Sequence, residues 1–339
     1  MELKERKVYL DYLRVIATVF VICNHTVALA ATLVSPGSTE FYTLKSLEFV
    51  SWACNPLFIM ISGALLLPVK EERIGIFFRK RFSKVALPML ICYVLYVCAK
   101  EGFVWLKPDH WLLMIQRIVS GAPVEAPHFW LIYIILMLYV LTPFLRWIVS
   151  HIPDSVLSGV IGVVFIVGAL DTYLPILGLD AHLSPITDSF VGVFLLGYFL
   201  AGKCSIWVER LFYVGGAISI LVSCVWIVRA PDAANYIYQS APTMLLYAGA
   251  IFLGVKRLSD NGTNPCRTVQ LISRYSYSML LLHWGVLHVA VKQILHVDVL
   301  SGGIVGGCLL MIVLTLLISL VGAIIFEHTV MKVIYKVIV

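Results

Sequence analysis

Residues 8–33 read VYLDYLRVIATVFVICNHTVALAATL. A helix of about 20 predominantly apolar residues crosses the hydrocarbon core of a bilayer, so this stretch is long enough to span. It nevertheless carries three ionisable side chains, Asp11, Arg14 and His25. Such groups are costly inside a membrane and call for a partner or a function. Asp11 and Arg14 are spaced i, i+3 and can pair on one helix face. Arg14 and His25 stand eleven positions apart, nearly a whole number of turns. They therefore share a face, with the imidazole about 16 Å farther along the axis. Two readings fit that stripe: a structural Asp11–Arg14 pair below a hydrogen-bonded core histidine, or a path leading an anionic ligand from a cation to a proton-transfer group.

The rest of the chain continues the apolar pattern. Of 339 residues, 60% are hydrophobic and only 13% are charged, with a mean hydropathy of +0.95. Soluble domains carry about 25% charged residues, so lipid is the expected solvent. Windows of spanning length fall at 8–33, 48–67, 84–105, 129–149, 156–174, 187–202, 208–228, 239–256, 271–295 and 303–326. They are continuously apolar rather than alternating, which favours helices over a barrel. The expectation is an all-α, polytopic fold of about ten transmembrane helices in a single domain over 1–339. The first run is too long for a signal-peptide core and is read as a retained helix.

Charge placement orients it. Six of the 25 Lys and Arg residues, Lys45, Lys100, Lys107, Arg117, Arg229 and Lys292, fall on one side, and the rest gather on the other. By the positive-inside rule both termini are cytoplasmic. The skew also absorbs the net charge of +6, so nucleic acid is not an expected partner. The eight cysteines lie mostly inside predicted helices with no CxxC pair. They read as apolar packing residues, and neither disulfides nor a metal site is expected. Between Pro108 and Gly121, the residues Trp111, Leu112, Leu113, Ile115, Ile118 and Val119 suggest a short helix on the outer interface. Asp171, Asp180 and Asp188 make an outer loop acidic, and Gly302, Gly303, Gly306 and Gly307 permit close packing of the last helix.

Five fragments, in order, carry a resemblance to a known family. The run Tyr9-Leu10-Asp11-Tyr12-Leu13-Arg14, ten residues and His25 resembles the Arg–His signature that opens the acyltransferase-3 family of integral membrane O-acyltransferases. Asn55-Pro56-Leu57-Phe58-Ile59-Met60-Ile61-Ser62-Gly63 is similar to its "PLFFxISG" segment. His128-Phe129-Trp130-Leu131 resembles "HLWF", Leu196-Gly197-Tyr198-Phe199 contains "LGY", and Ser276 to His283 is similar to "YSLYLLH". The look is closest to the compact O-acetyltransferases of surface polysaccharide, of the enterobacterial-common-antigen type. One departure is Arg79-Lys80-Arg81-Phe82-Ser83-Lys84, where the family has Arg-x-x-Arg. Lys84 keeps the charge and loses the bidentate fork.

The resemblance implies an acyl-CoA donor, most simply acetyl-CoA, held by Arg14, Arg79, Arg81 and Lys84, with Ser62 assisting. It implies His25 as general base or transient acyl carrier, with Asp11 orienting Arg14. Asn24, His128, Trp130 and His283 become candidates for the acceptor side. The implied acceptor is a hydroxyl of an extracytoplasmic glycan or lipid-linked glycan, and the implied setting is the bacterial inner membrane. The protein would act alone, as a homo-oligomer, or with a separate extracytoplasmic partner. Rival classes are a flippase for a lipid-linked or CoA-type substrate, a scaffold or sensor subunit, and the same chemistry on an amino acid or lipid headgroup. His288, His296 and the Glu327-His328 pair are given no role.

Overall fold

The computed structural model describes residues 7–68, 72–121, 125–179, 183–229, 240–259 and 265–334. Lys4, Arg6, Lys70, Asp180 and Lys336, which entered the charge and loop readings, lie outside them. The described residues form helices and no strand. In chain order these are α1 (Val8–Ala31), α2 (Thr39–Trp52), α3 (Cys54–Leu66), α4 (Ile74–Arg81), α5 (Leu87–Glu101), α6 (Trp111–Val119), α7 (Trp130–His151), α8 (Asp154–Tyr173), α9 (Ser184–Thr187), α10 (Val191–Gly202), α11 (Ile206–Arg229), α12 (Pro242–Ser259), α13 (Arg267–Gly285) and α14 (Ile304–Phe326).

Seven segments among the described residues are long and apolar enough to cross a membrane: Val8–Ala31, Thr39–Leu66, Ile74–Glu101, Pro127–His151, Asp154–Leu177, Ile206–Arg229 and Ile304–Ile334. The other three expected spans coincide with α10, α12 and α13 but fall outside that set. Helix α10 has 12 residues, about 18 Å at 1.5 Å per residue. Helix α12 ends in Lys256 and Arg257, and α13 spends positions on Arg267, Gln270, Arg274 and three serines. The second span starts at Thr39 rather than 48. The added stretch brings in Glu40 and Lys45, and Lys45 closes on Glu48 at 2.8 Å, which makes it tolerable there.

Proline sets the breaks. Pro56 has no N–H to offer Trp52, and α2 ends there before the chain resumes as α3. Pro88 likewise offers nothing to Lys84, and a π turn over Phe82–Ala86 joins α4 to α5. That turn carries Lys84. Outward faces stay apolar: Leu221 and Val225 on α11, and Leu309, Leu317 and Val321 on α14, are all more than half exposed. Such a surface suits lipid and would be a liability in water. Helix α6 lies outside the bundle with Trp111, Leu112, Leu113, Ile115 and Val119 exposed, the pattern of an interfacial helix.

Helix α1 is the centre of the bundle and packs on α2, α3, α12, α13 and α14. Behind it, α3 and α10 approach so closely that a Cβ on Gly63 would strike the Phe194 backbone, and one on Gly197 would strike the Met60 backbone. Two of the motif fragments thus owe their glycines to packing. We expect Gly197→Ala to lower the thermal unfolding temperature in detergent, by the equivalent of about 1–3 kcal/mol for overpacking. Gly159→Ala, which meets open space, should leave it unchanged. Equal behaviour of the two variants would contradict this account of the α3–α10 contact.

Candidate functional site

The charges of the first helix are held by α13. Ser273 Oγ donates to Asp11 Oδ1 at 2.6 Å, and Arg14 Nη1 donates to the same oxygen at 3.0 Å. Asp11 is only 5% exposed, so a carboxylate that is costly in apolar surroundings has both a cation and a hydroxyl on it. Farther along, the His25 ring stacks on His283 at 5.2 Å and meets Trp284 edge-on at 5.1 Å. Arg14 is thus level with Ser273 and His25 with His283, so α1 and α13 run parallel with the polar stripe between them.

At the Arg14 end lies a cavity of about 360 Å³, lined among others by Arg14, Ser62, Arg81, Lys84, Tyr139 and Tyr277. Four of the five residues expected to hold the donor therefore meet there. The fifth, Arg79, sits exposed on α4 and does not line it. Neighbouring cations are already engaged. Lys80 donates to Glu72 at 2.7 Å and holds that carboxyl below its ordinary range. Arg146 stands 3.9 Å from Glu72 and donates to Leu66 O at 2.5 Å. Arg81 makes no hydrogen bond or ion pair among the described residues. Its guanidinium lies over the rings of Phe77 and Tyr139 at 5.1 and 5.6 Å, and its Nε is buried without a partner. Ser62 is bonded to its own helix at Phe58 O.

At the His25 end, aromatic and imidazole rings gather. His128 packs edge-on against His283 at 4.8 Å and stacks on Trp284 at 5.8 Å. His288 touches the far side of Trp284 at 4.2 Å. His283 Nδ1 lies 2.8 Å from Leu280 O, and His128 Nε2 lies 3.3 Å from Leu281 O. A carbonyl only accepts, so both nitrogens must carry the proton in these bonds. The opposite atoms, His283 Nε2 and His128 Nδ1, are left as buried acceptors with no donor among the described residues. No group of three or more His, Cys, Asp or Glu there is placed to hold a metal.

The remaining candidates sit elsewhere. Asn24 Nδ2 reaches Glu48 O and Ser51 Oγ on α2, each at 3.4 Å, and is turned away from the ring cluster. Trp130 packs on Phe190 at 6.0 Å, apart from its neighbour His128. Glu327, expected to be merely solvated, accepts from Ser278 Oγ at 2.6 Å. Trp284, His288 and Tyr96 were not singled out in the sequence. Trp284 and His288 are spaced i, i+4 and share a helix face, which offered a signal for that pair alone. Tyr96 is one aromatic in an apolar helix and offered none.

A cationic cavity and an imidazole cluster thus stand at opposite ends of one polar stripe between α1 and α13. A family model described as an acyltransferase domain matches residues 7–327, and the chain belongs to that acyltransferase-3 family. The protein is a multi-pass membrane acyltransferase. No curated protein and no solved structure is matched by the chain.

The shared oxygen of Asp11 makes a direct expectation. In a double-mutant cycle with Asp11→Asn and Arg14→Gln, unfolding free energies in mixed micelles should show coupling of about 1 kcal/mol or more. Strict additivity would mean that the two side chains do not support each other.

Proposed function

We propose that the enzyme moves an acetyl group from cytoplasmic acetyl-CoA to a hydroxyl of an extracytoplasmic surface glycan, in the bacterial inner membrane. The parallel taken for this reading is the enterobacterial-common-antigen type of O-acetyltransferase. The observation that carries this reading is the unpaired charge in the cavity. Arg81 and Lys84 sit beside Arg14 in a concave site with no acidic side chain bonded to either among the described residues. Phosphates are the natural occupants of such a site, through charge-assisted hydrogen bonds. With the positive-inside orientation, both termini and this cavity face the cytoplasm, and α10, α12 and α13 complete ten crossings.

The roles follow from the stripe. The donor's phosphates bind Arg14, Arg81 and Lys84, and the thioester extends along α1 toward His25. There an imidazole removes the acceptor hydroxyl's proton as its oxygen attacks the thioester carbonyl. The C–S bond breaks, and the CoA thiolate leaves and takes up a proton. His25 is the base in this scheme, or carries the acyl group briefly. Unlike His283 and His128 it makes no hydrogen bond among the described residues, and it is only partly buried, so its ring is open to a reactant. His283 Nε2 and His128 Nδ1, lacking donors, suit the hydroxyls of the incoming acceptor. Asp11 fixes Arg14.

The test is release of free CoA by protein in nanodiscs given acetyl-CoA and candidate glycans. His25→Ala should reduce turnover by about 100-fold or more, in line with loss of a general base, while donor binding persists. Arg81→Ala should raise the donor KM about tenfold or more, since a hydrogen bond to a charged group is worth about 1.5–3 kcal/mol. Full turnover by His25→Ala would remove that residue from the chemistry. No binding and no turnover by folded wild-type protein would favour a flippase.

A further inference from the structure

Near the imidazole cluster a side chain from another helix bonds into the last turn of α13. In a regular α-helix the Gly285 N–H points at Leu281 O, four residues back. Here the hydroxyl of Tyr96, from α5, bridges those two groups. It accepts from Gly285 N at 2.9 Å and donates to Leu281 O at 3.0 Å, with Leu282 O at 3.4 Å. The next residue begins a π turn, Val286–Ile294. Side chains inserted into the helical ladder and π openings are recognised causes of helix distortion, and π openings are frequent at functional sites. Gly285 admits the phenol: a Cβ there would lie 3.2 Å from the Tyr96 ring.

The bridge closes on the segment that faces His25. Leu281 O receives the Tyr96 hydroxyl and also stands 3.3 Å from His128 Nε2. His283 and Trp284, which contact the His25 ring, lie between the two bridged residues. The Tyr96 ring also meets His128 edge-on at 5.8 Å. One oxygen thus fixes the backbone that carries two of the rings and shares the carbonyl that orients the third.

We propose that Tyr96 is a positioning residue of the transfer site, whose hydroxyl clamps the Leu281–Gly285 turn of α13 so that His283, Trp284 and His128 are set against His25. This rests on the reading of His25 as the reacting imidazole. Removing the hydroxyl lets Gly285 N–H and Leu281 O close on each other, which turns the intervening residues and takes the carbonyl from His128.

The experiment measures free CoA release in nanodiscs per donor-binding site, with sites counted by a non-hydrolysable thioether analogue of acetyl-CoA. Tyr96→Phe should lower turnover per site about ten- to hundredfold, the scale of an ångström-level misplacement, with donor KM unchanged. A role in folding alone would reduce the number of sites and leave turnover per site intact, which would overturn the proposal. So would a raised KM with turnover preserved. Should Tyr96→Phe give no donor-binding protein, Gly285→Ala decides. It keeps the hydroxyl but displaces it, and the same loss per site is expected, while full turnover per site refutes the positioning role. His25→Ala runs beside these. Its full activity would dispose of the His25 reading, whereas the Tyr96→Phe result is judged on turnover per site alone.

Discussion

A carboxylate and a guanidinium placed inside an apolar bundle must satisfy each other or not be there. Asp11 meets that requirement with Arg14 on its own helix and Ser273 on another, and the consequences spread from there. The bond from Ser273 fixes α13 parallel to α1 in one register. That register brings His283 and Trp284 to His25 at the other end. It also leaves Arg14 on the wall of the cavity where Arg81 and Lys84 stand. A one-residue slip of α13 would break the Ser273–Asp11 bond and separate the rings.

The packing behind the stripe is rigid for a different reason. Helices in lipid gain little from burying apolar surface against each other, so close backbone approach carries more of the association. Gly63 and Gly197 supply it between α3 and α10. Proline then shapes the wall of the cationic cavity. The π turn before Pro88 displays Lys84, and Pro56 sets the break from which α3 carries Ser62 into the cavity.

Much of this was legible in the sequence, and the exceptions have physical causes. The apolar runs gave the helices, because in lipid a spanning segment must satisfy its backbone internally. Hydropathy placed the start of the second span too late because it scores Glu40 and Lys45 as isolated charges, whereas Lys45 is paired with Glu48. It also undervalues α13, whose polar residues serve the site. The eleven-residue step from Arg14 to His25 forecast a shared face, and in the structure both side chains meet α13, one at Ser273 and the other at His283 and Trp284. His128 and His283 were legible as motif residues, but not their contact, which joins positions far apart in the chain. Asn24 and Trp130 shared the signal of their neighbours and face elsewhere, since adjacent helical residues diverge by about 100°. Tyr96 was invisible because its role comes from one hydroxyl meeting another helix.

The central claim is that one buried stripe joins a donor site on one side of the membrane to transfer chemistry on the other. Sidedness in proteoliposomes tests it most directly. Cys266, exposed at the Arg14 end of α13, reports which face of each molecule is outward through an impermeant maleimide. Acetyl-CoA supplied only to the face bearing Cys266 and Lys84 should support turnover, with the acetylated acceptor appearing in the opposite compartment. Donor use from the opposite face, or donor and product on the same side, would contradict the account.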